Sequence, residues 1–345
     1  MATSLVTQIN SKEFITKLKK IVFSTSDESV TITISVGGSQ ILNEIYYPDT
    51  DGNVTLYEVN ALLSTYLLPS LVAQVTLGWT TGNSTSDQTF TAFYTTADIT
   101  ETTADFLADH FLTHLRSKET NNNWREVLYF YPSMPTRPRF VGYYSDNTVV
   151  TQDYPSESPV DQILSLDVSP AQFAVSGKKL VSYTIGAGNR VMKYNVSHED
   201  VEAAPKLLFR NSFGCEETIY CIGTHELEPE YQLTSAYVEG DYRNIDVEEK
   251  KVFKAFTGPL SADMSNWADD LFRSTAIYLF TIAQDQSIAR GREVVITSAK
   301  SVRNNEVEFT PDFYFEYRYA QRIHNIFDKV VVGRIFDHTF ANVFN

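Results

Sequence analysis

The feature that most constrains the fold is a strict alternation of apolar and polar residues along short segments. Between Val30 and Val36 every second residue is apolar and β-branched, and Thr or Ser stands between. Leu71–Trp79 repeats this pattern. A period of two puts successive side chains on opposite faces of a strand. With 13% aromatic residues, the chain is therefore predicted to be mainly β, with two antiparallel β-sandwich-like or barrel-like domains and a few short helices.

A second feature is Leu207–Gly223, around which the rest of the chain is predicted to be organised. Two apolar runs are joined there by Arg-Asn-Ser-Phe-Gly. Asn211 and Gly214 are residues that tolerate a positive φ, so they can turn the backbone with little strain. The segment carries no obvious nucleophile, base or metal ligand. We therefore interpret it as architectural.

The chain is too long for one typical hydrophobic core. It has 345 residues and a mass of 39.0 kDa, for which two domains are the expectation. Pro and Ser concentrate in Tyr154–Gln172, which favours a boundary there. We predict a β-rich domain over residues 1–155, a linker over 156–172 and a β-rich domain over 173–345. The last has one short helix near 261–273 and an apolar carboxy-terminal tail.

Other local patterns predict further elements. Helices are predicted at Ser11–Lys20, Asn60–Leu68, Thr102–Leu115 and Ser261–Arg273, from capping residues and helical apolar spacing. Strands are predicted at Tyr231–Val238 and Val252–Phe256, where aromatic and branched residues concentrate.

The charge balance restricts the partners. The formal net charge is −15 and the sequence pI is about 4.8. Such a surface repels phosphate backbones and anionic membranes, so neither nucleic acid nor a membrane surface is an expected partner. The amino terminus lacks a basic region followed by an apolar one, and no 18-residue apolar run occurs. We expect synthesis in the cytoplasm and no membrane insertion.

Candidate metal and redox residues have simpler explanations. Cys215 and Cys221 are the two cysteines, and on one extended strand they would lie about 20 Å apart, too far for a disulfide. We interpret both as buried free thiols. His110 and His114 have zinc-compatible i, i+4 spacing on the predicted helix, but Phe111 stands where a metalloprotease has Glu and no third ligand is visible.

Other patterns resemble functional motifs only in part. Asp49-x-Asp51-Gly52 lacks the remaining ligands of a calcium loop, and Gly186-x-Gly188 leads into a strand where a phosphate loop needs a helix. Both are predicted to be hairpin turns. The acidic residues of Glu216-Glu217 and Asp269-Asp270 could in principle serve as glycosidase carboxylates. The separation of such carboxylates is set by the fold, and the sequence does not give it. We predict no catalytic, cofactor-binding or metal residue, no cofactor, and no enzymatic activity.

Aromatic side chains raise one further possibility, a platform that stacks on sugar rings. The candidates are Trp79, Trp124 and Trp267. Each is interpreted in the first place as a residue of the core or of a helix contact.

A resemblance is carried by three stretches. Phe209, Asn211, Phe213, Gly214 and Glu217 form a strand, an aromatic-Asn-x-aromatic-Gly turn, an acidic residue and a second strand. The second stretch comprises Thr257-Gly258-Pro259-Leu260, Asp269-Asp270-Leu271 and Ser274, and the third is the terminal Arg334-Ile335-Phe336-Asp337-x-Thr339-Phe340. Over roughly its last 140 residues the chain resembles virion structural proteins of tailed bacteriophages and prophages from Bacteroidetes-type gut bacteria. Cys215, two residues before Glu217, departs from that pattern.

The resemblance implies a tail, baseplate or neck component that is present in several copies and carries no catalytic residues. The expected partners are further copies of the chain and other virion proteins, and the expected location is the virion. We also expect Val330–Asn345 to dock on an adjacent subunit. Two alternatives stay open: a host-surface carbohydrate-binding protein of the virion, and a cell-wall hydrolase.

Overall fold

The computed structural model describes residues 3–82, 84–301 and 310–321. In this part the chain is mainly β, as predicted. The strands are β1 (Ser4–Leu5), β2 (Lys12–Phe14), β3 (Lys20–Ser24), β4 (Val30–Val36), β5 (Ser39–Tyr46), β6 (Asn53–Tyr57), β7 (Val72–Thr81), β8 (Ser84–Phe93), β9 (Ser117–Asn121), β10 (Val127–Phe130), β11 (Arg139–Tyr144), β12 (Val149–Asp153), β13 (Leu164–Asp167), β14 (Leu180–Ala187), β15 (Arg190–Ser197), β16 (Lys206–Arg210), β17 (Glu216–Tyr220), β18 (His225–Val238), β19 (Asp241–Phe256), β20 (Ile277–Ile282), β21 (Ile288–Ser301) and β22 (Phe313–Tyr319). The helices are α1 (Val59–Leu67), α2 (Thr103–Asp109) and α3 (Ala262–Arg273), with short 3-10 turns at Ile15–Lys17 and Pro170–Phe173.

Residues 3–82 and 84–93 form a sandwich of two sheets. One sheet has the strand order β2-β8-β7-β4-β5 and the other β1-β3-β6. Along β4 the apolar residues Val30, Ile32, Ile34 and Val36 are buried, and the residues between them are half-exposed. These side chains form one core with residues of β3, β6, β7 and α1. The alternation seen in the sequence therefore reports the inner and outer faces of this sheet.

The remaining sheets share a second, larger core. A five-stranded sheet has the order β12-β11-β14-β15-β9, and a seven-stranded sheet has the order β17-β16-β20-β21-β22-β19-β18. Their inner side chains pack together with those of α3, including the fully buried Trp267. A short ladder, β10 with β13, adds residues from both of its strands to the same core.

The predicted linker, residues 156–172, does not lie between the two cores, because the larger core contains residues from both sides of it. β11, before this segment, pairs with β14, after it, so one sheet includes strands from both predicted domains. Val168, within the segment, is buried in the larger core. The Pro- and Ser-rich segment contains β13 and a 3-10 turn, and it connects strands that belong to the same sheet. Composition marks an irregular connection, but it does not show whether the connected strands belong to one sheet.

The helix predicted over Thr102–Leu115 is wrong in its second half. Thr102 caps α2, since its hydroxyl accepts from the Asp105 N–H at 3.2 Å. The helix ends at Asp109 because His110 is already extended. From there Leu112 donates its N–H to the Tyr129 carbonyl, and its side chain enters a different core from that of Phe111. The apolar residues of this segment have the spacing of one helical face, but they pack into two different cores on opposite sides of an extended chain.

The other helix predictions meet mixed outcomes. Ser261 caps α3, where its Oγ accepts from the Met264 N–H at 3.3 Å, and the helix ends at Arg273 as predicted. The helix at Asn60–Leu68 is confirmed as α1, although it follows Glu58, a residue with a positive φ, so Asn60 is not its cap. Ser11–Lys20 is wrong, because β2 and a single 3-10 turn occupy it. The predicted docking segment Val330–Asn345 lies outside the described residues.

Candidate interaction surface

Two hairpins that follow each other in the chain occupy opposite edges of the seven-stranded sheet. The β16–β17 hairpin ends one edge, and the β18–β19 hairpin ends the other. The β16–β17 strands are almost wholly buried, whereas most of the β18–β19 hairpin is exposed. The exposed hairpin is the candidate interaction surface.

The β18–β19 hairpin extends well beyond the sheet that anchors it. Its ladder continues from His225 opposite Ala255 to Val238 opposite Asp241. β22, the next strand, pairs with β19 only over Val252–Phe256. We name residues 228–251 the arm. Eleven residues of β18 in the arm span about 35 Å at the rise of a β-strand.

The arm has two chemically different faces, because cross-strand partners in the ladder share a face. Leu233 lies opposite Val247, and Tyr237 opposite Tyr242. A register shift after Thr234 accommodates one extra β19 residue and leaves this alternation of β18 unchanged. We name the following set the apolar face: Tyr231, Leu233, Tyr237, Tyr242 and Val247.

The apolar face continues the inner face of the sheet into solvent. At the base of the hairpin, Phe253 and Ala255 are buried on this same side. Farther out, Tyr231 is 59% exposed and Tyr242 is 79% exposed. An exposed, contiguous apolar patch often marks an interaction site. Among residues 3–82, 84–301 and 310–321, the arm has the side-chain pattern of a packed strand pair, but its apolar face is exposed.

The opposite face of the arm is charged. It carries five acidic residues against two basic ones, namely Glu228, Glu230, Asp241, Asp246 and Glu248 against Arg243 and Lys250. On the apolar face the only charged residues are Glu249 and Lys251, whose carboxylate and ammonium lie 3.9 Å apart. The arm thus has a neutral apolar face and an acidic polar face.

The base of the arm is fixed by a stack of rings. The His225 ring lies nearly parallel to those of Phe253 and Tyr317, with centroids 5.6 and 5.9 Å away. His225 Nε2 is 2.8 Å from the Tyr317 hydroxyl. Burial lowers the pKa of His225 to about 4, so the imidazole is neutral at pH 7. This stack joins β18, β19 and β22 where the arm leaves the sheet.

The β16–β17 hairpin is held by an asparagine in its turn. Asn211 Oδ1 accepts from the N–H groups of Phe213 and Cys215, each at 3.0 Å, and its Nδ2 donates to the Leu112 carbonyl at 2.8 Å. All three partners are buried. The side chain thus closes its own turn and ties that turn to the segment after α2.

The same turn lies where the two halves of the chain meet. Phe213 packs with Phe14 and Phe106 in a separate aromatic cluster. Gly214 has φ +78°, and a Cβ there would come within 2.3 Å of the Leu71 side chain. The interpretation of Leu207–Gly223 as architectural agrees with these contacts, because the turn packs in a cluster that contains residues from both halves of the chain.

Buried charges next to this hairpin form a structural network. Lys118 Nζ lies 2.6 Å from the Glu126 carboxylate and donates to the Thr218 carbonyl at 2.7 Å. Burial raises the pKa of Glu126, which Lys118 opposes, and burial also raises the pKa of Glu217, which accepts from Trp267 Nε1. Each of these charged groups is almost inaccessible. The network joins strands and α3 within the core.

The histidines singled out in the sequence are not brought together. His110 lies 3.3 Å from the Glu101 carboxylate, and His114 lies 3.6 Å from that of Asp270. Neither residue is within a helix, since α2 ends at Asp109. Within the described ranges, no group of three or more His, Cys, Asp or Glu side chains could hold a metal ion. Cys215 and Cys221 are buried free thiols, and burial raises both of their pKa values.

The Gly186-x-Gly188 motif is the hairpin turn that the sequence predicts, whereas the Asp49 loop is a turn but not a hairpin, because β5 pairs with β4 and β6 pairs with β3. Asp49 Oδ1 accepts from the N–H groups of Asp51 and Asn53, which closes that loop. Ala187 pairs with Arg190, so Gly188 and Asn189 form a two-residue hairpin turn.

The acidic pairs point to different surroundings. Asp270 is buried and accepts from the Ser212 hydroxyl at 2.5 Å, whereas Asp269 is an i, i+4 neighbour of Arg273 on α3. Glu217 is buried beside Trp267, and Glu216 contacts Arg290 at the surface. The buried members satisfy internal donors, and the exposed members pair with arginines.

The three tryptophans differ in their exposure. Trp267 is fully buried. Trp79 packs on Phe23 and donates its Nε1 proton to the Thr3 carbonyl at 3.3 Å. Trp124 stacks on Tyr220 at 4.3 Å between ring centroids, and it also lines a cleft of about 240 Å³. Trp124 therefore borders an open cleft.

Comparisons with known proteins give no family. No family model matches the chain, and no curated protein matches it. Among solved structures, one concerned with host cell surface retention of a 1.5-MDa bacterial ice-binding adhesin is 10% identical, covers 81% of this chain and 91% of its own, and has a TM-score of 0.17. The I9–I11 tandem of titin is 8% identical, covers 74% of this chain and 95% of its own, and also has a TM-score of 0.17. These likenesses are too low to support an argument about function.

One further finding concerns membranes. No helix in the part of the chain that the structure describes is long and apolar enough to span a bilayer.

The sequence does not predict the full length of the arm. It predicts strands at Tyr231–Val238 and Val252–Phe256 and leaves the first part of β19 unassigned. The available signal was the alternation of Tyr231, Leu233 and Tyr237 with polar residues. That signal predicts one apolar face, but it does not tell whether anything in the same chain covers it.

Proposed function

We propose that this chain is a structural subunit of a tailed-phage virion, associated with the tail, which acts through contacts between subunits. It is made in the host cytoplasm and incorporated into the particle. The observation that carries the assembly part of this proposal is the arm with its exposed apolar face. The virion part rests on the sequence resemblance at Phe209–Glu217 and in the stretches that follow it. No catalytic residue or cofactor is assigned.

The physical basis of the assembly proposal is the instability of such an arm in isolation. A two-stranded ribbon in water is marginally stable, and it needs a further layer or strand to hold its shape. The outer edge of β18 also has no neighbour among the described strands. Unpaired strand edges and apolar faces favour association with other chains. A subunit that completes its fold on assembly would cover both the unpaired strand edge and the apolar face.

The virion assignment is tested on purified particles. Particles of a phage or induced prophage that encodes this chain are banded in a density gradient, and their proteins are quantified by mass spectrometry. We expect the chain in a fixed, multiple copy number relative to the other tail proteins. Its absence from intact particles, while it is abundant in the lysate, would overturn the assignment.

The carboxy-terminal segment is proposed as a second contact. We propose that Val330–Asn345 docks on an adjacent subunit, for which its apolar and aromatic composition is the support. Deletion of Gly333–Asn345 should abolish assembly and leave the circular dichroism spectrum and the unfolding midpoint unchanged. Normal assembly after the deletion would contradict this contact.

A second candidate function is recognition of a host-surface glycan, favoured by the cleft beside Trp124. Asn121, Asn123 and Glu199 line this cleft with the indole, and amide, carboxylate and aromatic groups are those that bind sugars. A glycan array probed with the wild-type chain and with Trp124→Ala tests it. Binding lost in the variant would support the candidate, and no binding by the wild-type chain would exclude the sugars on the array.

A further inference from the structure

We infer that the partner of the arm is the arm of a second copy of this chain, with the apolar faces packed against each other. This inference rests on the proposed function as a multi-copy subunit and names the contact by which copies associate. In the resulting pair, two ribbons form a small sandwich about a two-fold axis. Each apolar face then meets an identical one, as an isologous contact requires.

Charge favours a second copy. The whole chain carries −15, so two copies repel each other wherever their acidic surfaces approach. The apolar face is neutral, because Glu249 and Lys251 compensate each other and its other residues are uncharged. The acidic residues of the arm lie on the opposite face, which points outward in such a pair. The contact therefore keeps the acidic faces of the two arms apart.

The side-chain pattern also fits a sandwich. Packed sheets bury alternate residues on their inner faces and expose the residues between them. In the arm, Leu233 and Val247 are on one face and Thr234 and Asp246 on the other. Tyr237 and Tyr242 already contact each other, with ring centroids 5.2 Å apart. Their hydroxyls can stay at the wet rim while the rings pack.

The size of the contact predicts its strength. A ribbon about 35 Å long and about 10 Å wide, the width of two strands, offers about 350 Å² of contact area per copy. Stable interfaces bury about 800 Å² per partner. The arm pair is therefore weak and concentration-dependent by itself, and it gains from simultaneous contacts in an assembly.

Sedimentation velocity on the full chain between about 1 and 100 µM tests the inference, in the concentration range of weak association. We expect a reversible monomer–dimer equilibrium. The variant Tyr231→Ser/Leu233→Ser/Tyr242→Ser should weaken dimerisation at least about tenfold, the equivalent of 1.4 kcal/mol. The matched variant Glu230→Ser/Gln232→Ser/Arg243→Ser changes the polar face of the same ribbon and should dimerise as the wild type does.

Cross-linking tests the geometry independently. Val247→Cys on the apolar face should give a disulfide-linked dimer under oxidation, and Thr234→Cys on the polar face should not. The two native cysteines are buried and free, so they contribute no background. Circular dichroism of every variant confirms that the fold is retained.

The outcomes separate this inference from the proposed function. A wild-type chain that stays monomeric at 100 µM would overturn the arm pair, as would a dimer unaffected by the apolar-face substitutions. A dimer lost on deletion of 333–345 but kept by the apolar-face variant would assign the contact to the carboxy-terminal segment instead. In each of these cases the particle composition still decides the virion assignment separately.

Discussion

The two edge hairpins of the seven-stranded sheet have similar residues and opposite environments. β16–β17 has Leu207, Phe209 and Ile219 in the core. β18–β19 has Tyr231, Leu233 and Val247 in solvent. Both are antiparallel, but β16–β17 is buried on both faces, with Leu207 and Phe209 in the larger core and Leu208 and Tyr220 in a smaller cluster. The difference is that β16–β17 lies under other layers, whereas the arm extends past them.

The comparison shows that the burial of a strand depends on which layers pack over it. The β16–β17 hairpin has Lys118, Trp267 and the Asn211 turn to connect it to neighbouring elements. The arm carries side chains of the same kind, and the His225 stack fixes it at its base. The first hairpin should therefore control stability, and the second should control association.

The largest effect is expected from Lys118→Met. This change removes the partner of the Glu126 carboxylate and the donor to Thr218 of β17, both in the core. Breaking a buried ion pair from one side costs about 3–5 kcal/mol. Urea unfolding, followed by circular dichroism, should show a loss of that size in the free energy of unfolding.

A second change checks the cause of that loss. Adding Glu126→Gln to Lys118→Met should recover most of it, because the uncompensated charge is then absent. Lys178→Met, at an exposed pair with Asp146, should leave the unfolding midpoint unchanged. A loss for Lys118→Met no larger than for Lys178→Met would contradict the structural importance of the buried network.

The next effect is expected from Asn211→Ala. It leaves two buried N–H groups and the Leu112 carbonyl without their partners, at a cost of about 2–3 kcal/mol. Asn189→Ala is the matched control, since Asn189 stands in an exposed hairpin turn and donates to Asp109 at the surface. The control should stay within about 0.5 kcal/mol of the wild type. Equal losses at the two asparagines would refute the special position of the buried turn.

A smaller, pH-dependent effect is expected at the arm base. The folded protein lowers the pKa of His225 from 6.5 to about 4, so between these values the unfolded chain binds the proton more readily. The stabilising contribution is therefore fully present above pH 6.5 and is lost as the pH falls toward 4. His225→Phe has no such titration.

Comparing the wild type with His225→Phe isolates the contribution of the histidine to the pH dependence of stability. Unfolding free energies at pH 7.5, 5.5 and 4.5 should show the wild type losing stability relative to His225→Phe as the pH decreases. After correction for the intrinsic pH dependence of exchange, the protection factors of the β18 amides next to His225 should fall over the same interval in the wild type alone. A constant difference across the three pH values would show that the ring is not buried as described.

The smallest effect on the isolated subunit is expected from Tyr242→Ser. The side chain is mostly exposed in the single chain, so its removal should change the unfolding free energy by less than about 0.5 kcal/mol at low protein concentration. At concentrations where copies associate, the same change should lower the midpoint relative to the wild type, because association stabilises the folded state. A large loss at low concentration would mean that the Tyr242 ring packs on more of its own chain than Tyr237.

The sequence alone was sufficient where the signal was local. The β4 alternation, the Ser261 cap of α3 and the turn at Gly188-Asn189 each depend on residues close in the chain. It failed over residues 110–115, where helical spacing of apolar residues arises because two cores draw on one extended segment. It also assigned a linker where β11 and β14 pair across the irregular connection. Both failures concern contacts between residues that are distant in the chain.

What the sequence by itself determined is the β-rich class, the local turns and the interpretation of Leu207–Gly223 as architectural. These follow from backbone preferences and from a period of two, which each segment carries within itself. Only the tertiary structure decided which apolar faces are covered. An alternating strand shows the same pattern whether its inner face meets a layer of its own chain or solvent, so the arm became visible only once the surrounding layers were in place.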